Sequence, residues 1–112
     1  MEYLESLIEN LSKLDGVMCV AVADDTGSFV AGKNVDDPDE FAAILAFIGA
    51  GGETLEDLLG FKNLEFISLS GKTNKLIVNK VKDYFVGVQL KNVAIVSKLE
   101  TSIRRTIKNI AP

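Results

Sequence analysis

The chain contains no histidine, and its only cysteine is Cys19. Without histidine it lacks both the commonest general base and the commonest metal ligand. With a single cysteine as well, zinc and copper sites have too few ligands, and no serine or thiol has an imidazole to activate it. Carboxylate sites for magnesium or calcium need no histidine, but no calcium-loop spacing occurs. The residues therefore offer no catalytic constellation and point to no cofactor and no metal. A lone thiol also rules out a disulfide framework within the chain, and it makes a reducing cytoplasm the natural compartment. Long apolar runs are missing too. The longest, FAAILAFIGAGG at 41–52, has twelve residues, against the ~20 that a membrane-spanning helix needs. The opening MEYLESLIENLSKL is acidic and amphipathic, unlike a signal or transit peptide.

What is present suits one ordinary globular domain over 1–112. The composition is 47% hydrophobic and 25% charged, and a chain of this length buries roughly two-thirds of its unfolded surface without staples. Charge is unevenly spread. Residues 1–60 hold 13 acids and 2 bases, residues 61–112 hold 3 acids and 10 bases, and the halves sum to −11 and +7. Either an acidic N-terminal helix packs beside a basic C-terminal one, or the basic helix meets an acidic partner or phosphates. A pI near 4.8 and the lack of aromatics interleaved with the bases argue against nucleic acid.

Periodicity supplies the elements. Leu4, Leu7, Ile8, Leu11 and Leu14 form one helical stripe over 3–14, which Asp15-Gly16 stops. VMCVAVA (17–23) reads as a strand buried on both faces, DDTG as a turn, and SFVAGK (28–33) as the returning arm. Asp37-Pro38-Asp39-Glu40 is a helix start, with a capping acid, proline in the first turn and Glu three residues after the cap. That helix runs to about Leu59, with Gly60 as its stop. Gly49, Gly51 and Gly52 in its middle each cost ~1 kcal/mol against Ala, so the helix either kinks there or uses the missing side chains for close packing. LEFISLS (64–70), KLIVN (75–79) and YFVGVQL (84–90) follow, joined by GKTN and KVKD, which suits an antiparallel meander. The last helix, roughly 93–110, carries Val93, Val96, Leu99, Ile103, Ile107 and Ile110 on one stripe, with Asn92 as a candidate cap. The order is α-β-β-α-β-β-β-α, an α+β layering of one antiparallel sheet with helices.

Three short motifs suggest chemistry and fail on context. DDTGS at 24–28 spells the signature that presents the catalytic carboxylate of retroviral-type aspartic proteases, with Asp25 as the acid. Those subunits are almost entirely β, however, whereas three helices occupy close to half of this chain, and Asp, Thr and Gly are common turn residues. SGKT at 70–73 resembles the end of a phosphate-binding loop, but the pattern needs glycine where Phe66 stands and a helix where KLIVN follows. GAGGET at 49–54 lies within a helix and ends on Thr54, so it fails as a dinucleotide fingerprint.

The second helix is the most informative segment. On a helical wheel Phe41, Leu45, Ile48, Leu55 and Leu59 form a large apolar stripe, widened by Ile44, Phe47 and Leu58. The remaining face carries Ala42, Ala46, Gly49 and Ala50, then Glu53, Glu56 and Asp57. The first half of the helix thus has no polar side, and such a helix is normally buried all round. A single sheet covers one side only. The small-residue face is expected to meet a second helix, most economically its own copy across a two-fold axis. The first meander strand is a candidate free edge, and pairing two copies through it would join the sheets. The interface expected from the two arguments comprises Ala42, Ala46, Phe47, Gly49, Ala50 and Glu53 on the helix, with Leu64, Phe66 and Ser68 on the strand.

Taken together, these segments resemble the roadblock, or dynein light-chain, family over essentially the whole chain. The resemblance rests on the leading amphipathic helix, on LDGVMCVAVADDTGSFVA, and on the acid-capped, Ala-rich DPDEFAAILAFIGAGGETLEDLLG. It continues through FISLSGKTNKLIV and DYFVGVQL leading into the last helix. It implies a profilin-like, five-stranded antiparallel sheet with the first and last helices on one face and the second on the other. It further implies homodimers, or heterodimers with a related roadblock subunit, built on the second helix and the 64–70 strand. Its members look like non-enzymatic scaffolds that bind Ras-like small GTPases, as those of bacterial polarity systems do, or serve as subunits of motor and signalling complexes. The glycine cluster makes this second helix less regular than the family pattern.

Overall fold

The structure, a computed structural model, describes residues 2–62, 64–91 and 96–112. The second helix is its hub. α2 (Pro38–Leu59) begins where the Asp37 side chain accepts a hydrogen bond from the Glu40 N–H at 3.2 Å, with proline in the first turn. It ends at Gly60, whose left-handed φ of 73° lets its N–H reach the Glu56 carbonyl. These are the start and stop signals expected from sequence, and the helix runs unbroken through its glycines.

The remaining elements are α1 (Glu2–Ser12), β1 (Val17–Asp24), β2 (Phe29–Lys33), β3 (Phe66–Ser70), β4 (Asn74–Val81), β5 (Tyr84–Lys91) and α3 (Val96–Ile110). The expected order holds. The strands form one sheet, β2-β1-β5-β4-β3, with every neighbouring pair antiparallel. α1 stops at Ser12, two residues short of the predicted Leu14. β4 extends two residues beyond the predicted Asn79, because its ladder with β5 continues to the Val81–Tyr84 pair. The proposed cap Asn92 and the stripe residue Val93 lie outside the described residues.

Strand alternation sorts the core into two layers. Val20, Val22, Ile77, Val81, Val86, Val88 and Leu90 meet Leu4, Leu7, Leu11, Leu99, Ile103 and Ile107 from α1 and α3. On the opposite face Ala21, Ala23, Val78 and Phe85 meet Ala42 and Leu45 of α2. The first layer is built from large aliphatics, whereas the second is floored by alanines and Gly87. Leu45 fills the space over Gly87, where a β-carbon would collide with its side chain.

Two of the three mid-helix glycines follow from this shallow floor. A β-carbon on Gly49 would overlap the Phe85 ring, and one on Gly52 would crowd Ile67 and Leu64. Close packing, not a kink, is therefore the use of both. Gly51 has nothing within 4 Å. Replacing Gly49 with Ala should destabilise the fold by about 1–3 kcal/mol through overpacking, despite the better helix propensity of Ala. Urea unfolding of Gly49→Ala, Phe85→Leu and the double variant checks this: the two losses should be less than additive, because the smaller residue vacates the space that Ala needs.

Candidate protein–protein interface

The side of α2 that faces away from the sheet carries large apolar groups with no cover. Phe47 is 80% exposed, Leu58 76% and Leu59 63%, with Ile44 and Leu55 also exposed beside them. Phe47, Gly51, Leu55 and Leu58 follow one another at helical spacing, so they make a continuous stripe along the outer face. Leu69 of β3, also exposed, lies at the sheet margin on the α2 face, because its neighbour Ile67 packs under Gly52. β3 is an end strand of the sheet, pairing β4 on one side only. The patch therefore runs from a helix face to a strand edge.

This arrangement corrects the face assignment of the helical wheel in part: Leu45, with Phe41 and Ile48 beside it, packs on the sheet as expected, but the small-residue face is not the outer one. Ala42 and Gly49, expected on the outer face, are buried against the sheet, and Ala46 is partly buried, beside the turn at Gly27. Phe47 and Ala50 do face outward. Glu53 is exposed but turned back across the sheet end, where its carboxylate pairs with Lys80 of β4 at 3.2 Å. On the strand side, Ser68 is exposed and Phe66 is half-buried beneath the Arg104 guanidinium, 4.3 Å from its ring centroid. Leu64 precedes β3 and so sits outside its pairing edge, its N–H held by the Glu56 carboxylate at 3.5 Å. The physical reason is the floor of the sheet. A helix lying over Ala21, Ala23 and Gly87 approaches most closely with small residues inward, which turns Ile44, Phe47 and Leu58 out.

No cluster of histidine, cysteine, aspartate or glutamate able to hold a metal occurs among the described residues. Cys19 is buried, its thiol donating to the Gln89 side-chain oxygen at 3.5 Å, and desolvation pushes its pKa up, so it remains a neutral thiol. SGKT forms the β3–β4 hairpin tip, closed by a bond from the Gly71 N–H to the Asn74 carbonyl at 2.8 Å. No described helix is long and apolar enough to cross a membrane.

No family model matches the sequence, and no curated protein does. Solved structures do match its fold. A roadblock/LC7 domain from Streptomyces avermitilis superposes with a TM-score of 0.80 at 13% identity, over 94% of this chain and 92% of that one. An MglB structure described as having a tetrameric arrangement gives 0.81 at 19% identity, over 98% and 86%. Myxococcus xanthus MglB gives 0.75 at 17%, over 94% and 91%. This is the roadblock fold. The five-stranded sheet with α1 and α3 on one face and α2 on the other agrees with what the resemblance implied.

Within this roadblock fold DDTGS is the β1–β2 hairpin turn, and Asp24 organises it, not Asp25. The Asp24 carboxylate accepts from the Thr26 hydroxyl at 2.6 Å and from the N–H groups of Ser28 and Thr26 at 2.9 and 3.0 Å. Gly27, at φ 88°, makes the reversal possible and seats the turn against Ala43 and Ala46 of α2. Asp25 is exposed on its outside. The Thr26 hydroxyl bond, followed by those from the backbone, lowers the Asp24 pKa below its ordinary 3.8. A depressed carboxylate stabilises the fold fully above its unfolded value and loses that contribution as pH falls through the folded one. Thermal midpoints of wild type and Asp24→Asn should therefore differ at neutral pH and converge as pH falls below the ordinary carboxylate range. Asp25→Asn should leave the midpoint unchanged throughout, because Asn suits an exposed turn position equally well.

Proposed function

We propose that the chain is a single roadblock-like domain that acts in the cytoplasm as a non-enzymatic, two-fold paired scaffold, docking a Ras-like small GTPase to regulate or localise it. One observation carries the reading: the uncovered apolar face of α2 runs into the free, uncharged edge of β3. Isolated apolar residues on a surface need no explanation, but a contiguous stripe ending on an unpaired strand marks an interaction site. Covering a fully exposed Phe or Leu contributes about 1.5–3 kcal/mol. Phe47, Leu58 and Leu59 alone therefore give a second helix strong reason to pack there.

The occupant that fits is a second roadblock subunit, either a copy of this chain or a related one. Antiparallel β3–β3 pairing would satisfy the free backbone groups of both edges. It would also bring the two α2 helices together on the same side of the joined sheet. Similarity to structures named MglB, one of them in a tetrameric arrangement, supports assembly of this kind. The roadblock pattern in the sequence supports a small GTPase as the client. With no histidine, catalysis by the chain's own residues has little to draw on, which favours regulation over chemistry.

Sedimentation equilibrium at micromolar concentration should give twice the chain mass. Phe47→Glu should weaken pairing at least about a hundredfold by burying unpaired charge, while the circular dichroism spectrum stays unchanged. A wild-type monomer would sink the pairing. Immobilised wild-type protein should retain from source-cell lysate a GTPase identified as Ras-like, and should alter its GTP hydrolysis. Retention of no GTPase would sink the client half of the proposal.

A further inference from the structure

A second surface lies on the opposite face of the sheet, where α3 does not fully cover β4 and the approach to β3. It is an open cleft of about 680 Å³ whose apolar wall includes Leu64 and Ile107. Its charged lining is almost of one sign. Arg104, Arg105 and Lys108 come from α3, Lys80 from β4 and Lys82 from the β4–β5 turn, against a single acid, Glu65. Glu65 holds the Arg104 guanidinium at 3.4 Å while the Phe66 ring supports it from below. Arg104 is thus fixed in place before any ligand arrives. The buried Asn79 lines the cleft as well, its amide donating to the Glu65 carbonyl while its own carbonyl oxygen accepts from no described residue.

The acidic half of the chain supplies one partner in the cleft, Glu53 to Lys80, and none to Lys82, Arg105 or Lys108 among the described residues. α1 packs beside α3, but among the described residues its carboxylate Glu9 pairs with Lys13 and Lys33. Glu100 of α3 is taken by Lys75. No ion pair among the described residues reaches Lys82, Arg105 or Lys108.

We infer that this cleft binds an acidic peptide segment of a partner protein. The cations are spaced along a helix and across to a turn; positions 104–108 alone span ~6 Å of α3. Carboxylates distributed along an extended chain match that spacing, each near one base. A compact phosphate fits less well, for two reasons. Among the described residues the bases line no glycine-rich loop, and Lys108 lies in the last turn of α3, where the helix presents its negative pole. The apolar wall gives intervening side chains a place to rest. The inference does not depend on the pairing through α2, which lies on the other face.

Fluorescence anisotropy with a labelled, glutamate-rich peptide, and its glutamine counterpart as control, tests it. The acidic peptide should bind, the glutamine peptide should not, and the affinity should fall as salt rises. Arg105→Glu/Lys108→Glu should weaken binding about tenfold or more. Lys13→Glu/Lys72→Glu, the same change in net charge placed outside the cleft, should leave binding within about twofold. Equal loss in both double variants would reduce the effect to net charge and overturn the proposal. So would absence of peptide binding, or binding of tripolyphosphate at these residues without peptide. Unchanged circular dichroism for both double variants keeps the comparison one of binding and not of folding.

Discussion

The seat of α2 on the sheet is the contact on which the rest of the structure turns. Ala21, Ala23 and Gly87 make a shallow floor, Leu45 drops into it over Gly87, and Gly49 clears the Phe85 ring. A close seat of this kind puts Ala42, Leu45, Gly49 and Gly52 innermost, with Phe41, Ala46 and Ile48 packed at its sides. Ile44, Phe47, Leu55 and Leu58 then lie on its far side, so one packing requirement both anchors α2 and creates the apolar outer stripe. The opposite layer, with its valines and leucines against α1 and α3, is deeper and self-sufficient.

Much of this was legible in the residues. Caps, hairpins and element order follow from local rules: the Asp37 cap, Gly16 and Gly60 with their positive φ, and the short connectors of the meander. Local chemistry dominates such features, so a single sequence carries them. The face that α2 presents to the sheet is different in kind. A helix apolar all round has no polar side to mark its orientation, and the deciding information sits in Ala21, Ala23 and Gly87, at least fifteen positions away along the chain. Size complementarity between β1, β5 and α2 would have been the signal to follow. Bulk alone places Phe41, Leu45 and Ile48 rightly on the sheet side and misplaces Leu55 and Leu59.

Two smaller differences have the same origin. In the hairpin turn, either Asp24 or Asp25 satisfies the composition of DDTGS, and only the register decides which carboxylate faces the N–H groups of Thr26 and Ser28. The excess of bases in the second half was visible as a count. That α1 spends its Glu9 on Lys13 and Lys33, leaving one wall of α3 basic, depends on how the helices lie against each other.

The two ends of the sheet are not alike. The pairing of β2 with β1 is interrupted by an irregularity between Val22 and Ala23, and β2 ends on Gly32-Lys33, with the lysine drawn toward Glu9. A bulge and a lysine are what discourage a strand from joining another sheet. β3, FISLS, has an unbroken register and no charge. An edge-to-edge assembly of this chain therefore has one receptive margin, and a margin that can meet only its own kind is used up after two copies. Had both ends been receptive, head-to-tail addition would have had no last member, and the same sheet would have been the unit of a fibre.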